Sequence, residues 1–146
     1  MKKLIYTLLI AVLATFAASA RDTYSHDSSV LPVAARTTLK NNFKADIHHI
    51  KIDKTLGHVS EYEVILNDGT EVTFDNKGNW KDIEMNSKTS VPTKFVPESV
   101  VSYVKQFHPK AVITGIEKER NGYSVELSNG VDMKFNKDGK FVKYDD

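Results

Sequence analysis

YEVILNDGTEVTFDNKGNWKDI, residues 62–83, is the stretch on which the reading of the chain turns. It returns sixty-one positions later, without a gap, as YSVELSNGVDMKFNKDGKFVKY, residues 123–144. Tyr62/Tyr123, Val64/Val125, Leu66/Leu127, Gly69/Gly130, Phe74/Phe135 and Gly78/Gly139 are identical pairs. Spacing kept that strictly marks a structural unit used twice. Tyr62, Val64 and Leu66 alternate with Glu61, Glu63 and Ile65 at strand period. Asn67-Asp68-Gly69 then turns the chain, glycine supplying the positive φ of a tight hairpin. Val72 and Phe74 continue the apolar side, with Glu71 and Thr73 on the other. Asp75-Asn76-Lys77-Gly78 reads as a type I turn closed by a glycine bulge, with Trp80 opening the next strand opposite Phe74. The second copy repeats the scheme through Asn129-Gly130, Met133, Phe135, Lys137-Asp138-Gly139 and Phe141.

Outward from the repeat, each copy is preceded by the same two elements. Leu31-Pro32 and Val96-Pro97 open two helices, proline being tolerated in a first turn. Ala35, Leu39 and Phe43 give the first helix its apolar spacing, and Val100, Val101, Val104 and Phe107 the second. A strand follows each: residues 47–53, with Ile50 and Ile52 on one side, and residues 113–118. Leu56-Gly57 leads into the first meander, and Glu119-Arg120-Asn121-Gly122 replaces what reads as a longer loop at residues 55–60. Residues 21–29 read as a loose polar tail and 85–94 as a linker. A helix with one apolar stripe and a sheet with one apolar face need each other. The expectation is an α+β fold: a tandem repeat of helix plus four antiparallel strands, units 30–84 and 95–146. Together they form one eight-stranded antiparallel sheet with both helices on one face, the other left to solvent.

Lys2-Lys3, an apolar run to Ala17 and Ala18-Ser19-Ala20 have the pattern of a secretory signal, residues 1–20, cleaved between Ala20 and Arg21. Residues 21–146 are then a soluble exported domain, periplasmic or secreted, with no membrane attachment after signal removal. Without Lys2 and Lys3 the 20 basic residues become 18, against 19 acidic. That balance argues against a nucleic-acid partner. The chain has no cysteine, so burial must supply its stability, and thiol catalysis and Cys-based zinc sites are excluded.

Leu31-Pro32, Phe43, Tyr62-Glu63-Val64, Asp68-Gly69, Phe74-Asp75 and Gly78-Asn79-Trp80 together resemble the β-lactamase-inhibitor-like, PepSY-like family of exported bacterial proteins. Val96-Pro97, Phe107, Tyr123-Ser124-Val125, Asn129-Gly130, Phe135-Asn136 and Gly139-Lys140-Phe141 match it again, so the resemblance covers nearly all of residues 21–146. It implies tandem helix-plus-four-strand units and a fold like that of β-lactamase inhibitor protein. An inhibitory or protease-modulating role is a further implication of the likeness. Turns and core residues carry the motif, so it speaks for fold more than for activity.

No HExxH, G-x-S-x-G or Gly-rich phosphate loop is present. Of the five histidines, His48 and His49 are adjacent and on a regular strand point to opposite faces, while His48 and His58 would meet across the first hairpin. No third ligand follows at a fixed spacing, so neither a metal nor another cofactor is expected. The Asp75 and Asn136 turns lack the length and the closing glutamate of calcium loops. Glu61, Glu63 and Glu71 would serve acid–base chemistry only if buried, and a solvated outer face explains them better. Ile65, Ile83, Val142 and Tyr144 fall on the parity opposite the core and form a candidate apolar patch. The sequence therefore favours a non-enzymatic binding module. Its expected partner is a protein or peptide of the cell envelope, docked on the open sheet face through Glu61, Glu63, Ile65, Glu71, Thr73, Trp80, Glu126, Asp132, Lys134 and Tyr144. Trp80 is the ambiguous member, since a position opposite Phe74 also suits the core. A small-ligand carrier and a carboxylate enzyme are the alternatives.

Overall fold

The structure, a computed structural model, describes residues 22–86 and 89–145. The expected signal segment and its cleavage site lie outside the described residues. A strand β1 (Thr23–Ser25) and a 3-10 turn (Ser28–Val30) lead into helix α1 (Val33–Asn42). Four strands follow: β2 (Ile47–Thr55), β3 (His58–Leu66), β4 (Glu71–Asp75) and β5 (Trp80–Glu84). A second 3-10 turn (Thr93–Phe95) precedes helix α2 (Glu98–Phe107) and the strands β6 (Ile113–Glu119), β7 (Gly122–Leu127), β8 (Asp132–Asn136) and β9 (Phe141–Asp145). All nine strands form one antiparallel sheet in chain order.

One register row shows how the core is made. Ser25, Ile50, Val64, Val72, Ile83, Ile116, Val125, Met133 and Tyr144 are successive cross-strand partners from edge to edge. Every residue between the two ends of that row is fully buried. The helices close over this face with Ala35, Leu39, Val100 and Val104. Pairing of β5 with β6 puts Ile83 against Ile116, so the core runs without a break from one half of the chain to the other.

The turns do what their residues dictate. Gly69 N–H donates to Leu66 O (3.0 Å) and Gly130 N–H to Leu127 O (2.9 Å); Gly78 N–H donates to Asp75 O (3.0 Å) and Gly139 N–H to Asn136 O (2.9 Å). In the second pair of turns the glycine also makes room for a helix. A Cβ on Gly78 would stand 2.9 Å from Ala35 N and 2.9 Å from Pro32 Cβ, so α1 begins directly on that turn.

Four expectations are corrected. Among the described residues the sheet has nine strands, because residues 23–25 of the supposed tail pair with Ile50–Ile52 of the neighbouring strand. Three residues carry no readable alternation, and only the free edge of β2 recruits them. The stretch 55–60 is no long loop: β2 and β3 run to a two-residue turn in which Leu56 (φ 51°) and Gly57 (φ 80°) are both left-handed. Ile83 is core, since a bulge at Lys81 returns it to the buried parity opposite Val72. The equivalent bulge at Val142 places Tyr144 beside Met133 on the helix side.

Candidate partner surface

The face away from the helices is assembled by the same registers. One row reads Lys51, Glu63, Thr73, Asp82, Glu117, Ser124, Lys134, Lys143; the next reads His49, Ile65, Glu71, Glu84, Gly115, Glu126, Asp132, Asp145. Glu61 and Asp53 pair beyond the first row. Glu61, Glu63, Ile65, Glu71, Thr73, Glu126, Asp132 and Lys134 therefore share this face. Asp82, Glu84, Glu117 and Glu119 join them and escaped the sequence reading. For Asp82 and Glu84 the Lys81 bulge hides the parity; for Glu117 and Glu119 the alternation with Ile116 was legible.

Acidic side chains dominate the face, and several oppose one another directly: Glu71/Glu84, Asp82/Glu117, Glu126/Asp132 and Asp132/Asp145 are cross-strand partners. Like charges directly opposite are destabilising by themselves, and Glu71, Asp82, Glu84, Glu126 and Asp132 each make further interactions. Lysines relieve the flanks. Lys81 Nζ lies 2.7 Å from Glu61 Oε2, Lys51 Nζ 3.1 Å from Asp53 Oδ1, and Lys143 Nζ 3.3 Å from Asp145 Oδ1. Lys134 pairs with Glu119 and lies 3.5 Å from Asp145 Oδ2. The hydrogen bond to Asp53 holds the Lys51 ammonium above its ordinary range, against the pull of burial. Lys143, and then Lys134, keep the Asp145 carboxyl below the usual carboxylate range.

A recess of about 510 Å³ opens beside the Gly69 and Gly130 turns, lined among others by Glu84, Asn86, Thr114 and Glu126. Ser124, paired with Glu117 and Lys134, is fully buried, and among the described residues its hydroxyl has no hydrogen-bond partner.

Trp80 and Tyr144 do not belong to this surface. Trp80 pairs with Phe74, packs edge-on against Phe95 (centroids 5.6 Å apart) and carries Lys118 Nζ 3.8 Å above its ring. Burial there pushes the Lys118 ammonium down from its usual range. Tyr144 joins an aromatic group with Phe141, and its hydroxyl lies 3.2 Å from His108 Nε2. The parity of Tyr144 differs because the bulge at Val142 adds one residue that leaves no trace in the apolar pattern, whereas Trp80 takes the place opposite Phe74 that its turn predicts.

The histidines also differ from expectation. A register shift between Ile47 and His49 makes His48 a bulge residue, so the two rings meet, Nδ1 to Nδ1 at 2.7 Å. His58 instead sits opposite Thr55, at the far end of β2. Among the described residues no group of three or more His, Cys, Asp or Glu is placed to hold a metal ion. In the Asp75 turn, the carboxylate accepts the backbone N–H groups of Lys77 and Asn79 at 2.9 Å each. Asn136 Oδ1 does the same for Asp138 and Lys140 at 3.0 Å.

These features define a class: an α+β protein with one open antiparallel sheet, both helices on one side and a charged, mostly acidic opposite side. The chain belongs to the β-lactamase-inhibitor-like, PepSY-like family, whose profile matches residues 60–143. Three solved structures share its architecture. A proposed periplasmic protein of unknown function from Bacteroides vulgatus is 36% identical, with a TM-score of 0.81 over 86% of this chain and 100% of that one. A proposed calcium-regulated periplasmic protein from Bacteroides thetaiotaomicron is 29% identical (TM-score 0.78, 86% of this chain, 97% of that one). Another proposed periplasmic protein from B. vulgatus is 27% identical (TM-score 0.76, 90% and 100%). No curated protein matches the sequence. Among the described residues no helix is long and apolar enough to cross a membrane.

Proposed function

We propose that this protein is an exported, non-enzymatic binding module. Its sheet face docks a protein or peptide of the cell envelope, and its two halves arose by duplication of one helix-plus-four-strand unit. The periplasmic descriptions of its relatives support the compartment. The observation that carries the docking reading is the charged face itself. Eight strands contribute to two rows of mostly polar side chains there, in registers that set acidic residues opposite one another. A surface selected for solubility alone would intersperse the two signs. Inhibition or protease modulation is the form of docking that the family likeness suggests.

A photo-crosslinking residue at Thr73, on this face, should capture a discrete envelope protein in the producing cell. The same residue at Ser99, on the helix side, should not. Equal capture at both positions, or none at Thr73, would count against the sheet face as the docking surface.

A further inference from the structure

We infer that a second site, separate from the sheet face, lies at the end of α1 and takes a single-chain amphiphile that ends in a carboxylate. It stands or falls independently of the docking reading above. A recess of about 700 Å³ opens there, within the range of about 300–1,000 Å³ usual for small-molecule sites. Its apolar lining includes Leu39, Phe43, Ile47 and Leu66. Leu39 and Leu66 are buried, and Phe43 and Ile47 are half-buried against the core. Arg36, Lys40 and Lys44 also line it and are exposed. Asp46 is the one acid among the lining residues.

The charges call for an anion. Arg36 and Lys40 stand one turn apart on α1, and Lys44 comes two residues after its end at Asn42. Like charges at that helical spacing work against the helix. No acidic residue on α1 offsets them, and among the described residues no carboxylate forms an ion pair with any of the three. The helix dipole favours a cation in the last turn, which accounts for Lys40 and not for Arg36, a turn earlier. The repeat supplies a control. Aligned on Pro32 and Pro97, Ala35 and Leu39 match Val100 and Val104, and all four are buried. Arg36, Lys40 and Lys44 then match Val101, Lys105 and Pro109. The loop after α2 lines a recess of only about 200 Å³. The fold therefore needs neither the larger recess nor the three cations.

The lining decides the kind of anion. Ile47 and Leu66, its strand residues, pair with each other, and His26 Nδ1 donates to His48 O at 2.7 Å. A polypeptide would find no run of free strand backbone to extend there. An alkyl chain needs only the apolar floor. A carboxylate at its end meets Arg36, whose planar fork suits it, beside Lys40.

The probe is dodecanoate, kept below its micelle concentration and titrated by calorimetry into the protein in the form its cell accumulates. One equivalent should bind. Octanoate should bind at least about tenfold more weakly, since four buried methylenes are lost. Dodecanol should be weaker by at least about tenfold for want of charge, and dodecyltrimethylammonium should not bind. Arg36→Gln with Lys40→Gln should weaken dodecanoate at least about tenfold and leave dodecanol unchanged. Its melting temperature should be unchanged or higher, since a like-charge pair is removed. Lys105→Gln, the counterpart in α2, should change nothing. Dodecanol binding as tightly as dodecanoate, no saturable binding, or an Arg36/Lys40 variant that binds like the parent would overturn the proposal. So would a Lys105 variant that loses as much. Displacement of dodecanoate by an acidic Glu-Leu peptide would overturn it in favour of a polypeptide occupant. Flotation with phosphatidylglycerol vesicles that the Arg36/Lys40 variant loses would overturn it in favour of a membrane surface.

Discussion

At the scale of single residues, two glycines with nearly the same backbone make a controlled comparison. Gly69 (φ +86°) has nothing within 4 Å of a would-be Cβ, whereas Gly78 (φ +88°) faces Ala35 N and Pro32 Cβ at 2.9 Å each. Gly69→Ala should therefore cost only the left-handed strain, about 1–2 kcal/mol. Gly78→Ala should add the displacement of α1, for a total of about 2–4 kcal/mol. Urea denaturation of both variants checks the order. Asp75 offers a second test. Burial raises its carboxyl, but hydrogen bonds from the Asn79 side chain and from the Asn79, Lys77 and Gly78 amides prevail and hold it below its usual value of 3.8. A depressed carboxylate lends stability that is present above the unfolded value and lost as pH falls through the folded one. Asn136 makes the matching backbone contacts in the other half with an uncharged oxygen. Asp75→Asn should thus fold normally and lose less stability than the parent on acidification below pH 3.8, read as the urea midpoint against pH.

At the scale of elements, strand parity and its interruptions decide which side chains reach which face. Lys81 is the extra residue that lets Trp80 and Ile83 both face the helices. Deleting Lys81 would make β5 a regular strand and leave Asp82 opposite Thr73 and Ile83 opposite Val72. That variant should keep Ile83 in the core, whereas Ile83→Asp should lose more than about 3 kcal/mol, since it buries a carboxylate and empties a core site. Lys81→Ala keeps the bulge and gives up one partly exposed ion pair to Glu61, so it should stay within about 1 kcal/mol of the parent. Thermal melts separate Ile83→Asp from both Lys81 variants. The alternation, the glycine turns and the helix-opening prolines were all legible because each is a local property of a few neighbouring residues. The bulges were not, because an inserted residue shows itself only against the partner strand.

At the scale of the molecule, the two halves share one core through the β5–β6 pairing, where Ile83 meets Ile116 and both are fully buried. Ile83→Ala should cost about 2–5 kcal/mol. Its unfolding should remain a single transition, with Trp80 fluorescence and far-ultraviolet circular dichroism coinciding. Separate transitions would mean that the halves are stable on their own. The candidate face is likewise a property of the whole sheet. Glu71 and Glu84 come from one half and Glu126 and Asp132 from the other, and only the strand order brings them into one row.

The amino-acid order alone determined the antiparallel meanders, the two helices on one side and most of the residues of the outer face. These follow from period, turn chemistry and apolar stripes, which act over a few residues. The tertiary structure alone decided the ninth strand, the inward turn of Ile83 and Tyr144, and the line of acids on either side of Gly115. Each of these depends on which strand lies alongside and in what register, and contacts between residues far apart in the chain settle that.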